Sequence, residues 1–125
     1  MKNKILSPKA PAPIGPYNQG IVASGTFAYV SGQLPLADGK LVGTEITAQT
    51  RQSLTNVGYI LNEAGYTWAD VVKTTVYLKD MNDFAAMNTV YAEIFDGTTF
   101  PARVAFQVGK LPMDALVEIE AIAVK

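Results

Sequence analysis

The chain has 125 residues and a mass of 13.4 kDa, with 49% hydrophobic residues, 17% charged residues and a net charge of −1 from 10 basic and 11 acidic side chains. That length fits one domain over residues 1–125, able to fold without a metal or disulfide staple, and the charge balance carries no footprint for nucleic acid. Cysteine and histidine are both absent, which excludes thiol nucleophiles, disulfides, histidine general bases and thiolate or imidazole metal sites.

Met1 to Ser7 (M-K-N-K-I-L-S) is far shorter than the apolar region of a signal peptide. No apolar run approaches the roughly 20 residues of a membrane span, so a soluble cytoplasmic protein is expected. Ser7 to Gly15 contains three prolines, which forbid a helix and favour an extended path. Pro16 keeps the segment stiff up to Tyr17. Ile21–Ala23 and Thr26–Ser31 read as two strands, with Ser24-Gly25 between them as a tight hairpin turn. Asp38-Gly39 is a second turn signal, flanked by Leu36 and Leu41.

Ile46, Thr50, Leu54, Val57, Leu61 and Ala64 recur at intervals of three and four and predict a helix over 46–64. Gly65 is placed to cap it. Gly58, in its middle, costs about 1 kcal/mol relative to Ala and is expected to allow close packing against a sheet. Val71–Lys79 is rich in Val and Thr and reads as a strand. Asp80 to Asp83 offers helix-starting residues. Phe84, Met87, Tyr91 and Ile94 then continue at helical spacing to about Phe95, and Asp96-Gly97 ends the helix. Arg103–Val108 and Leu116–Val124 read as the last strands, joined through Leu111-Pro112.

Strands, helix, strand, helix, strands is the order of an α+β domain with two helices on one face of a mixed sheet. In the last strand Val117, Ile119, Ala121 and Ala123 form one side. The other side, with Leu116, Glu118, Glu120, Ile122 and Val124, is still largely apolar. With helices for only one face, the second is expected to be buried in an oligomer.

The chain holds two arginines, Arg51 and Arg103. Arg51 reads as part of a solvated helix face. Arg103 alternates with Val104, Phe106 and Val108, and shares its side of the strand with Ala105 and Gln107. Its rigid fork suits a carboxylate. A structural ion pair with Glu118 or Glu120 is the competing reading, slightly favoured by spacing. Glu118 and Glu120 point the same way, roughly 6–7 Å apart along one strand, either as interacting carboxylates or as solvated strand residues. Tyr17 follows a stiff Gly-Pro pair, and its phenol can donate to a ligand oxygen or simply pack on the surface. Gly32, in Ser31-Gly32-Gln33, permits close backbone approach to a ligand or starts a turn. Asn88 is a helix-surface residue or a ligand contact. No Walker, Rossmann or zinc motif occurs.

Taken in order, Ile14-Gly15-Pro16-Tyr17, Ser31-Gly32-Gln33, Pro101-Ala102-Arg103, Leu111-Pro112 and Val117-Glu118-Ile119-Glu120-Ala121 resemble the RidA (YjgF) family of enamine/imine deaminases. The resemblance runs from about Ser7 to the C-terminus. It implies a chorismate-mutase-like α+β fold that assembles as a homotrimeric barrel with clefts between subunits. It implies substrates that are short-lived 2-enamino and 2-imino acids released by pyridoxal-phosphate enzymes, such as 2-iminobutanoate and 2-iminopropanoate. The products would be 2-oxo acids and ammonia, with no cofactor, metal, nucleic acid or membrane involved. By position, Arg103 would clamp the substrate carboxylate. Glu118 would place the attacking water and shuttle protons. Tyr17, Ser31, Gly32 and Asn88 would line the cleft, some of them from the adjacent subunit. Many members carry cysteine where this chain has Ala105, a cleft-lining position. The departure excludes thiol chemistry and leaves the arginine in place. A non-catalytic protein that binds a 2-oxo acid in the same cleft is the alternative. Relatives described as translation inhibitors raise an RNA-directed role, against which stands the absence of a basic stripe.

Overall fold

The computed structural model describes all residues, Met1–Lys125. The strands are β1 (Lys2–Ile5), β2 (Gly20–Ala23), β3 (Phe27–Gln33), β4 (Leu36–Ala37), β5 (Lys40–Leu41), β6 (Val71–Leu78), β7 (Ala102–Gln107) and β8 (Val117–Val124); the helices are α1 (Ile46–Glu63) and α2 (Phe84–Ile94). The main sheet has the order β3-β8-β6-β7. β8 runs antiparallel to β3 and β6, and β7 runs parallel to β6. A parallel neighbour needs a crossover, and α2 supplies it. The expected mixed sheet with two helices is therefore present.

Both helices cover one face. Val71, Thr74, Val76 and Leu78 of β6 and Val117, Ile119, Ala121 and Ala123 of β8 point into it and are buried. Leu54, Val57 and Leu61 of α1 meet them, as do Met87, Val90 and Tyr91 of α2. The side of β8 read as apolar from its alternation is thus the core side. No helix is long and apolar enough to cross a membrane.

Several local signals produce the structure they encode. Past the α1 cap at Ala64, Gly65 takes φ +82° and its amide donates to Asn62 O, while the Tyr66 amide donates to Leu61 O. This is the paired C-terminal closure that a left-handed glycine permits. Asp38 and Gly39 both have positive φ, 52° and 76°, and close the β4–β5 hairpin with Leu36 opposite Leu41, as a two-residue turn requires.

Two expectations fail. Ser24-Gly25 does not join a hairpin. β2 pairs with β1, whereas β3 pairs with β8. The reason lies at Gly25, which adopts φ +142° where a Cβ would stand 2.6 Å from the Lys125 carbonyl oxygen. The chain crosses the C-terminus there, and Thr26 exchanges both backbone hydrogen bonds with Lys125. β1 itself was not expected from its sequence. Its Lys-Asn-Lys run carries no strand pattern, and the segment is held instead by β2 and by Lys2, whose ammonium donates to the Ala69 and Thr99 carbonyls. Burial there lowers the Lys2 pKa, with Asp70 opposing the shift.

Gly58 also differs from expectation. It packs against Trp68 rather than against the sheet, and a Cβ would lie 2.9 Å from the indole. Trp68 in turn meets Phe95 edge-on at 5.1 Å. Gly58→Ala should gain about 1 kcal/mol in helix propensity yet lose about 1–3 kcal/mol by overpacking. A lower urea midpoint is expected; a higher one would show that the indole moves aside freely.

The other sheet face has no helix on it. Phe27 and Tyr29 stack there at 51% and 74% exposure, and Tyr77 meets Phe106 edge-on. Glu118, Glu120 and Ile122 share this face.

Candidate functional site

Arg103 sits on β7 directly opposite Thr74 of β6, and Ala105 sits opposite Val76. Thr74 and Val76 are buried under the helices, so Arg103 and Ala105 point to the helix side and Val104 and Phe106 to the open face. β7 is an edge strand, so the guanidinium lies at the rim of the core rather than within it. Its carbon lies 4.8 Å from the ring centroid of Tyr91, 5.3 Å from that of Tyr17 and 5.6 Å from that of Phe84. Its one hydrogen bond within the chain is a weak donation to Met87 Sδ at 3.8 Å. Burial lowers the Arg103 pKa, opposed by the Tyr91 and Tyr17 phenols; a guanidinium nevertheless stays charged.

The ion pair that spacing favoured for Arg103 is not formed. The ion pairs are Arg51–Glu93 at 2.8 Å and Lys79–Asp114 at 3.0 Å. Arg51 lies about half exposed on its helix, bridging to α2. Glu118 cannot reach Arg103 in the same chain because of register. It stands opposite Tyr77 on β6, one residue from the buried Val76, and so occupies the open face.

The loop before β2 brings Tyr17 to Arg103. Asn18 bonds to the chain just before β7, through its amide to Pro101 O at 3.1 Å and its side chain to Phe100 O at 2.7 Å. Gln19 bonds to Ser7 and to the Pro11 carbonyl, so one side chain holds a segment whose prolines cannot donate. The Ile14 amide donates to the Tyr17 hydroxyl at 3.2 Å, which leaves the phenolic proton uncommitted. A Cβ on Gly15 would stand 3.2 Å from Arg103 Nη2 and 3.4 Å from Asn88 Nδ2. The absence of a side chain lets this loop close down on both. Asn88 Oδ1 is buried and accepts no hydrogen bond. Beside this cluster opens a cavity of about 460 Å³, lined by Ile14, Tyr17, Met81, Phe84, Arg103, Val104 and Ala105.

A second group forms on the open face. β3 breaks register between Val30 and Gln33, and Gly32 lies in that irregularity. A Cβ there would be 2.9 Å from Glu118 Cδ, so the glycine makes room for the carboxylate. Ser31 is exposed, and its carbonyl accepts from Gln33 Nε2. Glu120 differs from Glu118 in being engaged: it accepts from the Tyr77 hydroxyl at 2.9 Å. That bond, with burial, raises the Tyr77 pKa.

Of the residues singled out in the sequence, Tyr17, Asn88, Arg103 and Ala105 thus come together on the helix side. Ser31, Gly32 and Glu118 come together on the other. Gly15, Thr74, Phe84, Met87 and Tyr91 were missed. Phe84, Met87 and Tyr91 carried a signal, the helical stripe, but a stripe that lines an arginine looks the same as one that fills a core. Gly32→Ala should leave the fold intact and push the Glu118 carboxylate aside. If Glu118 serves the site, activity on its substrate falls at least about tenfold with an unchanged melting temperature; full activity would show that its placement does not matter.

The protein family described as Endoribonuclease L-PSP matches residues 7–125. A RutC family protein of Pyrococcus horikoshii is 56% identical over 127 residues, covering 100% of this chain and 99% of that protein. A protein of Salmonella typhimurium named 2-iminobutanoate/2-iminopropanoate deaminase is 48% identical, covering 100% and 99%. The crystal structure of E. coli TdcF with bound serine superposes with a TM-score of 0.78 at 42% identity, over 98% of each chain.

Proposed function

This chain belongs to the RidA (YjgF) family, and from that membership we propose that it is a cytoplasmic 2-iminobutanoate/2-iminopropanoate deaminase. The observation that carries the proposal is Arg103, a rim guanidinium with no carboxylate partner and its donors almost wholly uncommitted. Such a fork matches a substrate carboxylate bidentately. Beside it lie an uncommitted phenolic proton on Tyr17, an unpaired acceptor on Asn88 and room for a small apolar side chain at Ala105.

The reaction needs little more. The 2-imino acid is held by its carboxylate. Water adds to the imine carbon as the nitrogen takes a proton, and the resulting carbinolamine loses ammonia as its hydroxyl proton leaves, giving the 2-oxo acid. Glu118, which has no protein partner, takes the proton from water and returns it to nitrogen. Positioning supplies most of the remainder. No thiol is called for, so Ala105 is no obstacle.

Glu118 and Arg103 of one chain face opposite ways, so this chemistry requires Glu118, with Ser31 and Gly32, to come from a neighbouring copy. A homotrimer closed over the uncovered sheet face meets that need and buries Phe27, Tyr29 and Phe106. A protein that binds a small carboxylate without catalysis is the second reading; the bound serine in TdcF, a small amino acid, is the observation that favours it.

The test is imine loss in solution. An amino-acid oxidase or a pyridoxal-phosphate dehydratase generates 2-iminobutanoate or 2-iminopropanoate in situ, and disappearance is followed with and without the protein. Accelerated 2-oxo acid formation is expected. No acceleration by folded protein that still binds 2-oxobutanoate would overturn the deaminase reading in favour of the second.

A further inference from the structure

We propose that Tyr91, tethered by Thr74, is a positioning residue whose ring holds the Arg103 guanidinium without a carboxylate, so that its donors stay free for a ligand carboxylate. The inference rests on the reading of Arg103 as a carboxylate clamp.

An arginine at the rim of a core must be held. The usual device is an aspartate or glutamate, which fixes the guanidinium but occupies its fork and cancels its charge. Here no carboxylate does this. Three aromatic rings do it instead, those of Tyr91, Tyr17 and Phe84, from α2 and from the loop before β2. A ring attracts a cation through the ring's own face and supplies no carboxylate to the N–H groups, whose one bond in the chain is the weak donation to Met87. The arrangement fixes the arginine and preserves its binding capacity together.

Tyr91 is the anchor of the three. Its ring lies nearest the guanidinium carbon, at 4.8 Å, and it is fully buried. Its hydroxyl shares a hydrogen bond of 2.6 Å with Thr74 Oγ1, also buried. Thr74 is the residue directly opposite Arg103 in the β6–β7 register. The ring is therefore tied to the same rung of the ladder that carries the arginine backbone, so its distance from the guanidinium is fixed by the sheet. Phe95 packs on Tyr91 at 4.7 Å and Trp68 on Phe95 at 5.1 Å. A leucine keeps the position apolar but offers a cation no face, and its smaller volume is why thermal melts and the Arg103→Ala background accompany the test.

The probe is 2-oxobutanoate, with binding measured by calorimetry and turnover of 2-iminobutanoate measured alongside. Tyr91→Leu, which removes the face, should weaken binding about tenfold or more and raise KM more than it lowers kcat. Tyr91→Phe keeps the face and loses the tether, so its loss should be smaller, and Thr74→Val should match it. In an Arg103→Ala background the Tyr91→Leu change should cost nothing further, because the group it positions is gone. Thermal melts accompany each variant; should Tyr91→Leu fail to fold, Thr74→Val against the Arg103→Ala background decides. Wild-type affinity in folded Tyr91→Leu, or equal losses with and without Arg103, would overturn the inference. If wild type hydrolyses imines or binds 2-oxobutanoate while the cage variants are unaffected, the inference falls alone. If wild type does neither, the clamp reading fails and this inference with it.

Discussion

Arg103→Ala is expected to lower kcat/KM for 2-iminobutanoate by about 10²–10⁴-fold, two charge-assisted hydrogen bonds at about 1.5–3 kcal/mol each being lost. The same substitution should leave folding stability within about 1 kcal/mol of wild type. That combination follows from what Arg103 does not contact. Cutting one side of a buried ion pair strands the other charge and costs about 3–5 kcal/mol. Arg103 has no such partner to strand. Its removal relieves the burial that lowers its pKa and forfeits face contacts with three rings. Arg103→Lys should fall between, because a point charge keeps the attraction and loses the fork. Steady-state kinetics and urea denaturation on the same preparations check both halves. A stability loss above about 2 kcal/mol would make Arg103 a structural residue first.

What the sequence made legible was local or periodic. The α1 cap at Gly65 and the β4–β5 turn at Asp38-Gly39 depend on residues within five positions of each other, and both formed as read. Each helix and each strand of the main sheet followed from spacing or from local composition. What stayed hidden was pairing. β1 has almost no strand character of its own and exists because β2, some fifteen residues on, gives it hydrogen bonds. Ser24-Gly25 has a turn's composition, yet the Lys125 carbonyl against Gly25 decides the path. The site shows the same division. Alternation told which residues of β7 share a side with Arg103, and which of β8 share a side with Glu118. It could not relate the two sides across strands. That needs the registers Arg103–Thr74 and Glu118–Tyr77, and those registers replace a slightly favoured ion pair with two separate clusters on opposite sides of the sheet.

Under the proposed reading, in which the two clusters are halves of one cleft between copies, a consequence follows that a single-chain site does not carry. Arg103→Ala and Glu118→Gln proteins should each be nearly inactive, the first for want of the clamp, the second for want of the proton carrier, a loss of about 10²–10⁴-fold. Unfolded together and refolded as mixed assemblies, they should regain activity. A cleft formed between an Arg103→Ala copy supplying Glu118 and a Glu118→Gln copy supplying Arg103 contains both wild-type groups. With equal amounts and random assembly, about a quarter of clefts between subunits meet that condition, so the mixture should approach a quarter of the wild-type rate. A site built within one chain gives a different answer, since every chain in the mixture lacks one group and no cleft can be whole. Activity from the mixed assemblies no greater than the sum of the parents would therefore place Arg103 and Glu118 within one chain's site or in no common site, and would overturn the shared cleft. The geometry sets the expectation: Glu118 lies beside Gly32 on the uncovered face, Arg103 beside Tyr17 at the edge strand, and a sheet stands between them that one copy cannot reach around.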